Sequence, residues 1–239
     1  MNILPKELFM QNLPETKALL ARLVQIESPS TGKNAVDRLG QHITAELNAL
    51  GGTVQVIPQA QAGDHLISRW GSGPGGLLLL CHMDTVFDTG TLAQQPLRET
   101  GGKLFGPGVL DMKGGIAILL SVLRLFRQEN AWPERPVTAL FTSDEEVGSL
   151  TSRDLIESEA RQASMVFCLE PALANGAIKT ARKGTGDIEI QVRGVAAHAG
   201  VDHEKGRNAI EELAHHVLAA QRLTDYNLGT TVNVGVITG

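Results

Sequence analysis

The chain has 239 residues, 42% of them hydrophobic, enough to bury a sizeable core and to exclude disorder as its default state. Its 21 Lys and Arg against 26 Asp and Glu leave a formal charge of -5 with no basic run, which argues against a nucleic-acid surface and points to small molecules or protein as partners. Lys6, Glu7 and Glu15 interrupt the start and the longest apolar runs are of strand length, so neither a secretory leader nor a membrane span is expected, and a cytoplasmic enzyme is the plain expectation.

Val36, Leu39, Ile43, Leu47 and Leu50 recur at three- and four-residue spacing, which predicts one face of a helix that Gly51 and Gly52 stop. Short β-type runs follow at residues 54–57, 65–70 and 77–81, separated by turns rich in Gly and Pro. The last is apolar enough for a central strand buried on both faces. Residues 112–128 then read as a helix, 137–142 as a strand, 152–160 as a helix and 165–169 as a strand. Strand and helix alternate, so the class is α/β. Cys81 and Cys168 each close an apolar run and are expected to be reduced, buried thiols.

The texture changes near Gly184, where Asp187, Glu189, Gln191 and Arg193 alternate with Ile188, Ile190 and Val192 as in a strand with one wet face. A Gly- and Ala-rich loop through His198, a helix over 208–222 and a last alternating strand over 231–237 complete this stretch. So thin a layer would struggle to cover its own apolar face, which predicts an incomplete or partner-dependent second domain over 183–239, after a first domain over 1–182.

Chemistry-bearing residues gather where the predicted strands end. His82 and Asp84 follow the run 77–81, and an imidazole two residues from a carboxylate can offer a metal ligand and the group that orients it. Asp111 lies between Gly106, Gly108, Gly114 and Gly115 at a loop-to-helix junction, where it would otherwise serve as a helix cap. Asp144, Glu145 and Glu146 follow the strand 137–142; such adjacent acids repel unless cations or hydrogen bonds compensate them, although a solvated helix start would also accept them. Glu170 and Pro171 end the strand 165–169. Open α/β sheets bind ligands at the carboxyl ends of their strands, so His82, Asp111, Glu145, Glu146 and Glu170 can converge on one crevice. One imidazole with several carboxylates suits zinc, with cobalt or manganese as alternatives, and favours neither a copper site nor an iron–sulfur cluster.

At these residues the sequence resembles the superfamily of two-metal zinc peptidases and deacylases that includes glutamate carboxypeptidase, acetylornithine deacetylase and succinyl-diaminopimelate desuccinylase. The resemblance rests on His82-Met83-Asp84-Thr85-Val86, on Asp111-Met112-Lys113-Gly114-Gly115, on Asp144-Glu145-Glu146-Val147-Gly148-Ser149, on Glu170-Pro171 and on Ala197-His198-Ala199-Gly200. It implies a three-layer zinc-exopeptidase domain with a mostly parallel central sheet, incomplete here, and part of an α+β lid through which such enzymes form homodimers. By this resemblance His82 and Glu170 hold one zinc, Asp111 bridges, Glu146 holds the second, Glu145 is the general base, Asp84 orients His82, and His198 helps to hold the oxyanion. The segment around Glu145, with Ser152-Arg153-Asp154-Leu155-Ile156 after it, looks closest to the glutamate carboxypeptidase branch. That implies hydrolysis of a C-terminal amide or peptide bond with release of glutamate. A deacylase of N-acyl amino acids or a dipeptidase is the alternative within the same chemistry, so the expected substrate is a small peptide or acyl-amino acid. Family members carry a further His ligand near the end of a longer chain, and this sequence stops before that segment. It is therefore expected either to be part of an active metallohydrolase or to be a non-catalytic metal-binding or subunit-interaction protein.

Overall fold

The computed structural model describes residues 4–239, which divide into two compact units at Lys179 and Thr180. The first unit contains α1 (Lys6–Gln11), α2 (Leu13–Val24), α3 (Lys33–Ala49), β1 (Thr53–Ile57), β2 (His65–Trp70), β3 (Gly76–His82), α4 (Thr91–Gln94), β4 (Arg98–Thr100), β5 (Lys103–Phe105), α5 (Gly114–Gln128), β6 (Val137–Thr142), α6 (Arg153–Gln162) and β7 (Ala163–Cys168). The strands expected at 65–70 and 137–142 form over those residues, and the others agree within two residues at each end.

Five strands make one sheet in the order β1-β2-β6-β3-β7. β2 runs antiparallel to both neighbours, whereas β6, β3 and β7 are parallel. Four strands thus share one direction, and the carboxyl ends of β3, β6 and β7 lie along one edge of the sheet. Strand alternation divides the apolar residues between its faces. Leu66, Trp70, Cys81, Val137, Ala139 and Phe141 join Leu19, Leu23, Leu39, Ile43, Leu47, Ile116 and Leu120 from α2, α3 and α5 in one core cluster. On the other face Ile67, Leu78 and Leu140 pack with Leu155, Ile156 and Ala160 of α6. The result is a helix–sheet–helix sandwich, each fully buried Leu or Ile contributing about 1.5–3 kcal/mol.

Several features escaped the sequence reading. α2 buries Leu19, Leu20, Leu23 and Val24. β4 and β5 form a hairpin whose turn glycines, Gly101 and Gly102, have φ of 59° and 73°, as a two-residue hairpin loop requires. The helix expected from residue 112 starts at Gly114, because Val109–Lys113 form a π turn in which Asp111 and Met112 leave helical geometry and their peptide bond is cis. Cys81 is buried as expected, but Cys168 is exposed, since β7 is an edge strand whose far side meets no described strand.

The second unit, Thr180–Gly239, contains one α-helix, α7 (Ala209–Gln221), capped by the Asn208 side chain, which accepts from the amides of Ile210 at 2.9 Å and Glu211 at 3.2 Å. The strands expected over 184–193 and 231–237 do not form. Alternating hydrophobicity selects two faces, but a strand also needs a neighbour for its amides and carbonyls. Among the described residues, pairing in this unit is limited to isolated bridges, Val195 with Arg207 and Asp225 with Thr230.

Candidate metal centre and active site

Three parallel strands deliver the site. β3 ends in His82, β6 is followed by Ser143–Glu146, and β7 by Leu169 and Glu170. Backbone bonds past the sheet keep these exits together: the Met83 amide donates to the Thr142 carbonyl at 2.8 Å, and the Leu169 amide to the Leu80 carbonyl at 3.0 Å. The π turn before α5 brings in Asp111.

His82 stands at the centre. Its Nε2 lies 3.0 Å from Asp111 Oδ1, 3.2 Å from Glu170 Oε1 and 4.0 Å from Glu145 Oε2. Two overlapping groups, His82 with Glu145 and Glu170, and His82 with Asp111 and Glu146, each place their ligand atoms within 4.8 Å of one another. His82 is the one imidazole in either group among the described residues. Asp111 makes no cap, and its carboxylate is half exposed beside the ring. All five residues singled out at the strand ends therefore meet. His198 belongs to the second unit, where its Nδ1 accepts from the Gly200 amide at 3.1 Å.

Asp84 is wholly buried and ties the site together. Its Oδ2 accepts from Ser30 Oγ at 2.8 Å and the Glu146 amide at 3.2 Å, and its Oδ1 from the Glu145 amide at 3.2 Å. His82 Nδ1 lies 3.0 Å from the Asp84 carbonyl oxygen and 3.4 Å from Oδ1, so the main chain of Asp84 shares in orienting the ring that its carboxylate was expected to hold alone. Ser30, Met112 and Lys113 are contributors that sequence reasoning did not find. Met112 Sδ accepts from the His82 amide at 3.0 Å. Lys113 is buried and donates to the Ile26 carbonyl at 2.7 Å; burial lowers it to about 8, against the opposing charge of Glu27. A Ser after a helix or a Met after an Asp carries no signal of such a contact.

The electrostatics suit a cation. Burial raises the Glu145 carboxyl above its ordinary range, with Glu170, Asp84 and Asp111 adding to this and His82 opposing it. Glu146 is raised by burial and then by Asp111. Burial works against a charged His82, yet Asp84 and Glu170 outweigh it and push the ring up to about 11. An imidazole crowded by carboxylates that disfavour one another's charge is a donor set that fits one or two divalent ions.

A protein-family model described as peptidase family M20/M25/M40 matches residues 78–233, which include every residue of this cluster. The chain belongs to this peptidase family. It is 37% identical over 216 residues to carboxypeptidase G2 of Pseudomonas sp. (strain RS-16), a match covering 89% of this chain and 52% of that protein. It is 34% identical over 175 residues to acetylornithine deacetylase of Proteus mirabilis (strain HI4320), covering 72% and 44%. The chain thus spans about half the length of the curated relatives it matches. Among solved structures, a tripeptidase from Staphylococcus aureus superposes with a TM-score of 0.64 at 20% identity over 87% of this chain and 56% of that one. Human carnosine dipeptidase 1 gives 0.60 at 22% identity over 68% and 39%. These likenesses show the mixed α/β fold. Members of the family are metal-dependent, in keeping with the donor set around His82.

Proposed function

We propose that this chain carries the metal-binding part of a zinc-dependent amidohydrolase that cleaves a C-terminal amide or peptide bond and releases glutamate. The observation that carries this reading is the convergence on His82 Nε2 of Asp111 at 3.0 Å and Glu170 at 3.2 Å, with Glu145 and Glu146 in the same cluster. His82 and Glu170 would hold one ion, Asp111 would bridge, and Glu146 would hold the second. Bound divalent ions supply Lewis acidity, polarising an amide carbonyl and acidifying water. Glu145 would take a proton from water and return it to the leaving nitrogen, a role supported by its half-exposed carboxylate 4.0 Å from the ring. Its carboxyl, raised by burial, is tuned toward carrying that proton. Asp84 holds the Glu145 and Glu146 amides, so the base keeps its aim while it exchanges protons.

Similarity to carboxypeptidase G2 supports cleavage at a C-terminus, and the resemblance of the segment around Glu145 to the glutamate carboxypeptidase branch favours a glutamyl amide. Similarity to acetylornithine deacetylase supports the second reading, removal of an acyl group from an amino acid. In the whole protein, residues 1–182 would belong to the catalytic domain and 183–239 to a lid that also pairs two subunits, with His198 donating to the oxyanion. No helix among the described residues is long and apolar enough to cross a membrane, in keeping with a cytoplasmic enzyme.

The test is zinc content together with hydrolysis of a C-terminal glutamyl amide and of an N-acetyl amino acid. Turnover of the first, lost in Glu145→Gln while zinc is retained, supports the carboxypeptidase reading; turnover of the second alone favours the deacylase. Zinc binding without turnover of either in the intact protein would leave a non-catalytic metal-binding protein.

A further inference from the structure

Behind the acidic segment lies an imidazole that the proposed chemistry does not use. His65 opens β2 and is wholly buried. Its Nδ1 lies 3.0 Å from Ser143 Oγ and its Nε2 3.0 Å from Thr151 Oγ1. Ser143 and Thr151 stand at the two ends of the segment that carries Asp144, Glu145 and Glu146, so one ring spans the base of the loop from which both acids project.

The proton count shows how closely the ring is engaged. Each hydroxyl has one proton to give. Ser143 donates its own to the Gly63 carbonyl, and Thr151 donates to Asp144 Oδ2 at 2.8 Å, an oxygen that also accepts from the Thr151 amide at 2.6 Å. Both hydroxyls are then left to accept from His65, whereas a neutral imidazole has one N–H. A neutral ring therefore turns one hydroxyl back toward itself, releasing either Gly63 or the second bond to Asp144. Ring, hydroxyls, carboxylate and loop ends move as one hydrogen-bonded unit.

We propose that His65 is a positioning residue for the acidic segment, stapling its two ends so that the Glu145 and Glu146 amides sit where Asp84 receives them. The middle of the segment is held from one side by Asp84 and its ends from the other by His65. The proposal deepens the reading of Glu145 as general base and rests on it for its kinetic consequence alone. Nothing in it alters His82, Asp111 or Glu170, so the ion held by His82 and Glu170 stays, whereas the aim of Glu145 and the grip of Glu146 on the second ion slacken, and misplacement on the ångström scale costs up to about 100-fold in rate.

The experiment compares the zinc-loaded intact protein with His65→Phe, which keeps an aromatic ring in the position and removes both bonds, and with the pair Thr151→Val and Thr151→Ser. Amide hydrogen exchange across residues 144–151 is read beside zinc stoichiometry, kcat and KM on a C-terminal glutamyl amide. The expected result for His65→Phe, read at zinc concentrations that load both ions, is weaker binding of the second ion alone, KM within about twofold, kcat lower by about 10–100-fold and faster exchange at Glu145 and Glu146. Thr151→Val should follow it in part and Thr151→Ser should restore the parent values. Should His65→Phe not fold, the threonine pair decides alone. Unchanged exchange in His65→Phe, or equal behaviour of Thr151→Val and Thr151→Ser, would overturn the staple. If the parent protein turns over neither substrate, the proposed function fails, yet the exchange measurement still decides whether His65 holds the segment.

Discussion

Replacing Asp84 by Asn would place an NH2 group against one of the two amides that its oxygens now accept, at 3.2 Å from Glu145 N and Glu146 N. A zinc competition titration should show Asp84→Asn about 10–100-fold weaker in metal affinity, the usual cost of losing a group that orients a ligand. Glu27 gives a test in a different variable. Its carboxylate accepts from the Leu92 amide at 2.8 Å and from the Gly90 amide at 2.9 Å and 3.0 Å, and these bonds hold it below the ordinary carboxylate range. A depressed folded pKa means that its stabilisation is complete above the unfolded value and fades as pH falls through the folded one. Thermal melts should therefore show Glu27→Gln less stable than the parent at pH 7, with the gap closing as pH falls below about 4. Residue types and their places at strand ends were legible in the sequence. Which oxygen meets which nitrogen was not, because the partners lie far apart in the chain: Ser30 with Asp84, Lys113 with Ile26, His65 with Thr151.

Strands β2, β3 and β6 were readable because each is a run bounded by turn residues, and α3 and α5 because their apolar faces repeat. β4 and β5, at three residues each, are too short for alternation to register. The segments over 184–193 and 231–237 show the converse, a clear alternation with no partner to pair with. Backbone comes close to backbone where α5 meets Leu169, just past β7. A Cβ on Gly115 would lie 2.1 Å from the Leu169 carbonyl oxygen and 3.0 Å from Met112 Cε. Gly115→Ala should cost about 1–3 kcal/mol in denaturant unfolding, with zinc binding weakened as Glu170 is displaced along with Leu169. Removing volume from the same helix has a larger cost: Leu120→Ala, at a fully buried position, should lose about 2–5 kcal/mol.

On the scale of the whole molecule, every buried hydrophobic residue among those described lies between Leu19 and Phe141, and those packed against them extend to Leu169. Thr180–Gly239 contributes none among the described residues. A chain ending at Lys179 should therefore keep one cooperative unfolding transition, its midpoint within about 2–4 °C of the parent by calorimetry. A larger drop would mean that the second unit supports the first. The α/β class was visible as the alternation of strand and helix, whereas the antiparallel insertion of β2 beside β6 was not, since no local pattern encodes which strand lies next to which.

That strand order has a consequence for how the protein is made. β3 lies between β6 and β7, so the strand that ends in His82 has neither neighbour until residues 137–142 and 163–168 have been synthesised. At about 5–20 residues per second, roughly 4–18 s separate the emergence of His82 from that of Glu170. Throughout that interval the imidazole belongs to an apolar strand that lacks both of its sheet neighbours. The group formed by His82, Glu145 and Glu170 can therefore close on a metal ion only after residue 170 has emerged.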